Sequence, residues 1–309
     1  ADAISRRGLE ADIELVDIMY QWRVNYRVQG NPKVSIIIPS KDNPEIIERC
    51  INSVVNLTDY RNYEIIVVDN GSNGANRAVY EALIGRAGGR YIYQPEVFNF
   101  PHMCNTGAAA ATGDYYLFLN DDTEVTEGQW LQRMLGHAQI PHAGAVGAKL
   151  LYPDSKKIQH CGVINIGNGP VHAFGGMTDE YTYFFGRNRI DYNWIAVTAA
   201  CLMVGADKFA KVSGFDEELA VAYNDVDLCF KLYEAGYYNI VRNDVILRHY
   251  ESVSRGDDRA DAEKMERLNN ERSSLYSRHP SIGCGDPLYN INLNQHANDF
   301  SLNYELEQY

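Results

Sequence analysis

YEIIVVDNGSNGANRAVYEALIGRAGGRYIYQ, residues 63 to 94, runs from an unbroken apolar stretch into a polar turn, then a helical pattern, then a second short apolar run. EIIVVD is too apolar for a strand with one wet face, and reads as a strand buried on both sides in a parallel sheet. NRAVYEALIGRAG is helical and RYIYQ returns as a strand, which completes a β-α-β unit with a right-handed crossover. The same rhythm extends outward. VSIIIPS (34–40) is a buried strand, and Asn43 and Pro44 after it read as the cap and first turn of the helix PEIIERCINSVVN. HMCNTGAAAATG (102–113) reads as a small-residue helix with Gly113 as its stop, and DYYLFLNDD (114–122) as the next strand. Sheets of this kind hold ligands beyond the carboxyl ends of their strands. That singles out Pro39 to Asp42, Asp69 to Ser72, and Asn120 to Asp122.

Toward the flanks the pattern changes. Residues 8 to 28 space Leu9, Ile13, Val16, Ile18, Met19 and Trp22 along one face, predicting a helix packed outside the domain. Beyond residue 145, VGAKLLY and CGVINIGNG are short strands, and 170 to 193 is rich in Gly, Tyr, Phe and His, as a substrate-shaping loop would be. ACLMVGADKFAKVSG (200–214) is strand then helix, NDVDLCFKLYEAG (224–236) a helix, and YNIVRNDVILRHY leads to His249. ADAEKMERLNNERSSLYSR is a charged amphipathic helix, followed from His279 by an extended Asn- and Tyr-rich end.

The composition is ordinary globular material, 45% hydrophobic and 22% charged over 309 residues. With 28 basic and 41 acidic residues the formal charge is −13, and no basic block interrupts it, which argues against nucleic acid as a partner. The cysteines (Cys50, Cys104, Cys161, Cys201, Cys229, Cys284) form no CxxC pair, and His160, Cys161 and His172 match no zinc spacing. A reduced, cytoplasmic chain is expected, with no transmembrane segment. The start without Met suggests a domain of a longer protein, peripheral to the inner face of a membrane through its other parts.

Asp121 and Asp122 carry the chemistry. Adjacent carboxylates after YLFL cost several kcal/mol if desolvated alone, so an exposed edge or a divalent cation is needed. Mg²⁺ or Mn²⁺ takes a few carboxylates and fills its shell with phosphate oxygens.

VSIIIPSKDN, EIIVVDNGS, GDYYLFLNDDTEV, GFDEELAVAYNDVDLCFKLYEAGY and RHYESVSRG, in that order over roughly residues 33 to 256, resemble a family 2 glycosyltransferase of the GT-A fold. The resemblance implies an α/β fold, Rossmann-like, with a mainly parallel central sheet flanked by helices and a mixed C-terminal half. It divides the chain into an N-terminal helical extension (1–32), a catalytic domain (33–256) and a C-terminal helix with an extended tail (257–309). Within the domain, 33–125 would bind nucleotide and 126–256 would hold acceptor and catalysis.

The resemblance also implies roles. Pro39, Ser40, Asp42, Asn99, Asn105 and Asn120 would line the nucleotide site, with Asp69 accepting from the base edge and Asp121 holding the ribose. Asn120, Asp121 and Asp122 stand at the family's DxD motif, with Asn in its first position. Asp122 and His249 would bind Mn²⁺ or Mg²⁺, and Arg255 would face the pyrophosphate. Asn224 and Asp225 align with the family's acidic pair, which makes Asp225 the general base. Asp227, two residues on, would sit at a helix start favoured by the dipole. Trp194, Thr198, Ala199 and Asn224 would line the acceptor and sugar pocket.

The expected reaction is metal-dependent inverting transfer from a UDP- or dTDP-sugar to a hydroxyl of a glycan or lipid-linked saccharide. Two other readings remain. A non-catalytic sugar-nucleotide or glycan-binding module would share the fold. A sugar-1-phosphate nucleotidyltransferase would need a Gly-rich, Arg-containing loop where VSIIIPSKDN has Pro, Ser and Asp.

Overall fold

The structure, a computed structural model, describes residues 2–16, 20–250 and 262–304. Helix α1 (Asp2–Ser5) leads into strands β1 (Ala11–Val16) and β2 (Gln21–Tyr26), paired antiparallel with Ile13 opposite Val24 and Leu15 opposite Trp22. The helix expected over 8 to 28 is therefore a hairpin. Ile13 and Leu15, then Trp22, Val24 and Tyr26, repeat at every second position, the period of a strand. Ile18 and Met19, which completed the helical pattern, lie outside the described residues. The hairpin docks by its polar side. Buried Arg242 donates to Val24 O (3.2 Å) and Asn25 Oδ1 (2.7 Å), and its charge is balanced by Asp244 (2.7 Å) and Asp191 (3.6 Å).

The first half of the domain follows the predicted rhythm: β3 (Val34–Ser40), α2 (Pro44–Leu57), β4 (Tyr63–Asp69), α3 (Gly74–Arg86), β5 (Arg90–Tyr93), α4 (Phe100–Ala110) and β6 (Tyr115–Leu119). β3 is buried along its whole length and pairs in parallel with β4 and β6, and β4 pairs in parallel with β5. The small residues of α4 have a packing reason, because a Cβ on Gly107 would stand 2.3 Å from Ile37 Cγ2. Gly113 does not stop that helix, which ends at Ala110. It lets the chain pass β3, where a Cβ would stand 2.7 Å from Ser35 N.

The second half adds β7 (Thr123–Val125), α5 (Trp130–Ala138), β8 (Ala143–Leu151), β9 (Ile158–His160), the hairpin β10 (Val163–Ile166) and β11 (Gly169–His172), β12 (Tyr192–Trp194), β13 (Cys201–Gly205), α6 (Ala206–Lys211), α7 (Asn224–Glu234), β14 (Tyr238–His249), α8 (Ala262–Arg278) and α9 (Pro280–Gly283). One sheet runs through both halves in the order β12-β14-β8-β13-β6-β3-β4-β5. β13 lies antiparallel between β6 and β8, and β14 is parallel to β8. The carboxyl ends of β3, β4, β6, β8 and β14 and the start of β13 thus share one edge. Large apolar clusters cover both faces. Among the described residues all six cysteines are free thiols, and no helix is long and apolar enough to cross a membrane.

The C-terminal segment packs on α7. The His279 ring is buried, with Nε2 3.0 Å from Asp227 Oδ1, Nδ1 2.9 Å from Glu234 Oε2, and the Phe230 ring edge-on at 5.4 Å. Burial opposes its charge, but the two carboxylates outweigh burial and raise its pKa above the usual 6.5. A raised folded-state pKa gives stability that is complete below the unfolded value and lost as pH rises through the folded one. Asp227 is held below its usual 3.8, despite burial, by His279 and by Lys231 (2.9 Å), so it stays ionised throughout that window. The melting-temperature difference between the parent chain and His279→Gln is therefore expected to be widest near pH 6 and to shrink toward pH 9. A difference independent of pH would remove the imidazolium from the account.

Candidate active site

The shared sheet edge brings the polar strand ends together. At the end of β3, Ser40 Oγ donates to Asp121 Oδ2 (2.5 Å) and lies 2.8 Å from the buried Tyr80 hydroxyl, which accepts from Asn43 N (2.8 Å). Asn43 is the N-cap of α2 by position, although its side chain makes no capping bond. Asp42 has a positive φ of 52° and accepts through Oδ1 from Asn73 N, Asn73 Nδ2 and Asn76 Nδ2, bonds that hold its carboxyl below the usual range. Pro39, Ser40, Asp42 and Asp121 thus form one tied corner between β3, β6 and the start of α3.

Asp69 is not at the surface of this corner. It is wholly buried, with Oδ1 taken by Ser72 N (2.9 Å) and Ser72 Oγ (2.7 Å), and Oδ2 by the Tyr91 hydroxyl. It braces the turn. The neighbouring Asn70, inside the strand end singled out above but given no role of its own there, gives its amide hydrogens to Gln94 O (3.3 Å) and Glu96 O (3.0 Å). Its Oδ1 is buried and lacks a partner among the described residues, an acceptor that needs explaining. The signal available was position alone: Asn70 is the first residue beyond the strand end.

Asn99 and Asn105 are engaged elsewhere. Asn99 caps α4 by accepting from His102 N (2.9 Å) and donates to Glu217 O (2.7 Å). Asn105 donates to Phe215 O (3.0 Å) and accepts from Phe215 N (3.1 Å). Both amides fasten the loop at 214–217 to α4, which accounts for them without a ligand.

Asp122 and His249 meet because β7, which begins immediately after Asp122, pairs with the end of β14, with Thr123 opposite His249. His249 Nε2 is 2.9 Å from Asp122 Oδ1, yet that oxygen is buried and receives no hydrogen bond among the described residues. Gln159 Oε1, 2.6 Å from His249 Nδ1, holds the ring proton on Nδ1. Nε2 is turned to the Asp122 oxygen, with the Asn120 amide 3.4 Å away, so an imidazole nitrogen and a carboxylate converge on one point. Two donors of one cation with bonds of about 2.1 Å stand about 3 Å apart, so the pair fits a divalent ion. Among the described residues no cluster of three or more His, Cys, Asp and Glu side chains gathers. Gln159 had no signal in the sequence beyond standing next to His160.

The start of β13 joins this corner to α7. Asn120 N donates to Ala200 O (3.1 Å), and Ala199 N donates to Asp225 Oδ2 (3.0 Å). Asp225 is half-buried at the first turn of α7, and its other oxygen accepts from Val226 N (2.9 Å). Asp227 turns away from it into the core, toward His279 and Lys231. Ala199 acts through its backbone, Thr198 is half-buried beside it, and Asn224 is buried with its amide donating to Leu219 O (3.2 Å).

Trp194 is no part of an open pocket. It is 1% exposed, and its ring covers Gly162, where a Cβ would stand 2.1 Å from Cδ2. The region is apolar core with the Phe300 ring 6.0 Å away, so the acceptor-pocket expectation for Trp194 gives way to packing. His160 and His172 contact each other, Nδ1 to Nδ1, at 3.3 Å. Arg255 lies outside the described residues.

A family model for glycosyl transferase family 2 matches residues 35–209. The chain belongs to that family. It is 38% identical over 300 residues to the y4gI protein of Sinorhizobium fredii, covering 96% of this chain and 33% of that protein. It is 34% identical over 308 residues to the O-antigen biosynthesis protein RfbC of Myxococcus xanthus, covering 98% and 23%. The family 2 chain thus spans a third or less of these relatives' length. Its fold is that of the mannosyltransferase PcManGT from Pyrobaculum calidifontis, solved with GDP-Man and Mn²⁺, at a TM-score of 0.62 and 16% identity over 84% of this chain and 68% of the other. By family and fold, then, it is a GT-A glycosyltransferase domain.

Proposed function

We propose that the domain transfers a sugar, with inversion, from a UDP- or dTDP-sugar to a hydroxyl of a glycan or lipid-linked saccharide, and that it needs Mn²⁺ or Mg²⁺. The observation that supports the metal dependence is His249 Nε2 set 2.9 Å from an Asp122 oxygen that is buried and receives no hydrogen bond among the described residues. Asp122 and His249 would hold the cation, which when bound neutralises charge on the leaving diphosphate. The Mn²⁺ in the PcManGT complex supports the same reading.

Asp225 takes the proton from the acceptor hydroxyl as its oxygen bonds to the anomeric carbon. The bond from that carbon to the diphosphate oxygen breaks, and the electron pair leaves with the diphosphate. Asp121 binds the ribose beside Ser40, and Thr198 faces the acceptor. For the base, Asn70 replaces Asp69 as the acceptor of a pyrimidine N–H, because its Oδ1 is unmatched whereas both Asp69 oxygens are occupied. The family and the relation to the O-antigen biosynthesis protein RfbC support a role in glycan biosynthesis.

Calorimetric titration with UDP, dTDP, GDP and CDP, each with Mn²⁺ and with EDTA, tests this. UDP or dTDP is expected to bind in Mn²⁺ at least about tenfold more tightly than CDP, whose ring nitrogen offers no N–H and would leave Asn70 Oδ1 unmatched. Binding is expected to disappear in EDTA. Equal binding of UDP and CDP would unseat Asn70, and no binding at all would favour the non-catalytic module.

A further inference from the structure

The helix that presents Asp225 is gripped on both sides of that residue by one C-terminal segment. Three residues before it, Ala222 N donates to Glu271 of α8 at 2.6 Å, and Glu271 is buried. Tyr223 follows with a left-handed φ of 59°, then Asn224 and Asp225 open α7. Two residues after Asp225, buried Asp227 meets His279 Nε2 at 3.0 Å, while His279 Nδ1 meets Glu234, the last residue of α7, at 2.9 Å. Arg278 beside it ion-pairs with Asp216 (3.1 Å) and Glu218 in the loop that leads to Ala222.

A non-glycine residue at positive φ is strained, and it persists only where its surroundings dictate it. Here the surroundings are Glu271 on one side and the His279 clasp on the other. The Asp225 carboxylate sits directly after that turn, tethered to the rest of the site by Ala199 N at 3.0 Å. A general base misplaced by about 1 Å loses on the order of a hundredfold in rate.

We propose that Glu271 and His279 are positioning residues: together they fix the Tyr223 turn and the first turn of α7, and so aim the Asp225 carboxylate. This rests on the reading of Asp225 as the base. The grip lies in a part of the chain beyond the stretch matched by the family model, which ends at residue 209. The C-terminal segment is thereby a working part of the site and not only a cover for the core.

The Ala199 amide reports where the carboxylate sits, and it can be read without any substrate. Hydrogen exchange at Ala199 is expected to speed up at least about tenfold in Glu271→Ala and in His279→Ala, with amides of β3 and β4 unchanged. Glu271→Gln keeps a carbonyl oxygen for Ala222 N–H and is expected to restore protection. UDP release from UDP-glucose, with water as acceptor, is expected to fall about 10- to 100-fold in the two alanine variants while the calorimetric UDP affinity stays within twofold.

Unchanged Ala199 exchange in Glu271→Ala would overturn the proposal, and that variant decides the matter if His279→Ala fails to fold. Loss of protection across β3 and β4 together with Ala199 would also overturn it, by showing a general structural role. Asp225→Asn, measured alongside, separates the two ideas. Full UDP release in that variant would remove the base itself. Normal Ala199 protection and release in Glu271→Ala, beside an inactive Asp225→Asn, would remove only the positioning.

Discussion

Asp225→Asn is expected to lower turnover by about 10³-fold, within the range of 10²–10⁴ that a positioned general base contributes, while nucleotide affinity stays within about twofold. The substitution keeps the shape and one side-chain oxygen, which can still accept from Ala199 N at the cost of the bond from Val226 N. What disappears is the ability to accept a proton from the acceptor hydroxyl. Asp227 cannot substitute, because it is 1% exposed and already engaged by His279 and Lys231. UDP release and UDP calorimetry on the same preparation check this. Retained turnover would place the base elsewhere, and a parallel loss of affinity would make Asp225 a binding residue.

Asp122→Ala is expected to reduce UDP affinity in Mn²⁺ by about 100-fold or more, to the level seen in EDTA, and to make EDTA irrelevant. The carboxylate supplies the negative charge of the donor pair, so its loss leaves only the His249 imidazole. His249→Ala should cost less, about 10-fold, and Gln159→Leu should produce a similar but smaller loss, since its amide oxygen sets the tautomer. Titration of Mn²⁺ into the nucleotide complex of each variant measures the series. Undiminished Mn²⁺ dependence in Asp122→Ala would remove this carboxylate from the metal site.

How much of this was legible in the sequence follows from what each signal depends on. The strands β3, β4 and β6 declare themselves because burial on both faces demands unbroken apolar runs, and each is local. The meeting of Asp122 with His249 depends on pairing between segments over 120 residues apart, and only the ordered family motifs carried that. The N-terminal hairpin misled because Ile13, Leu15 and Trp22 are 38%, 52% and 59% exposed, so the pattern describes an outward face, not a core. Asp69, Asn99 and Asn105 stand at the right strand and helix ends, but which polar groups are already taken there is a matter of tertiary contacts. Trp194 belongs to the core because its ring closes over Gly162, a tertiary contact that no local pattern encodes.

The antiparallel strand β13, wedged between β6 and β8, has a mechanical consequence. It stitches the strands before residue 125 and those after it into one hydrogen-bonded sheet, so closing two lobes on a substrate by rotation would break ladder hydrogen bonds. Adjustments on binding fall to the loops along the sheet edge. Melting should accordingly be a single cooperative event, and a nucleotide held at one end of the sheet should raise that one transition for the whole chain.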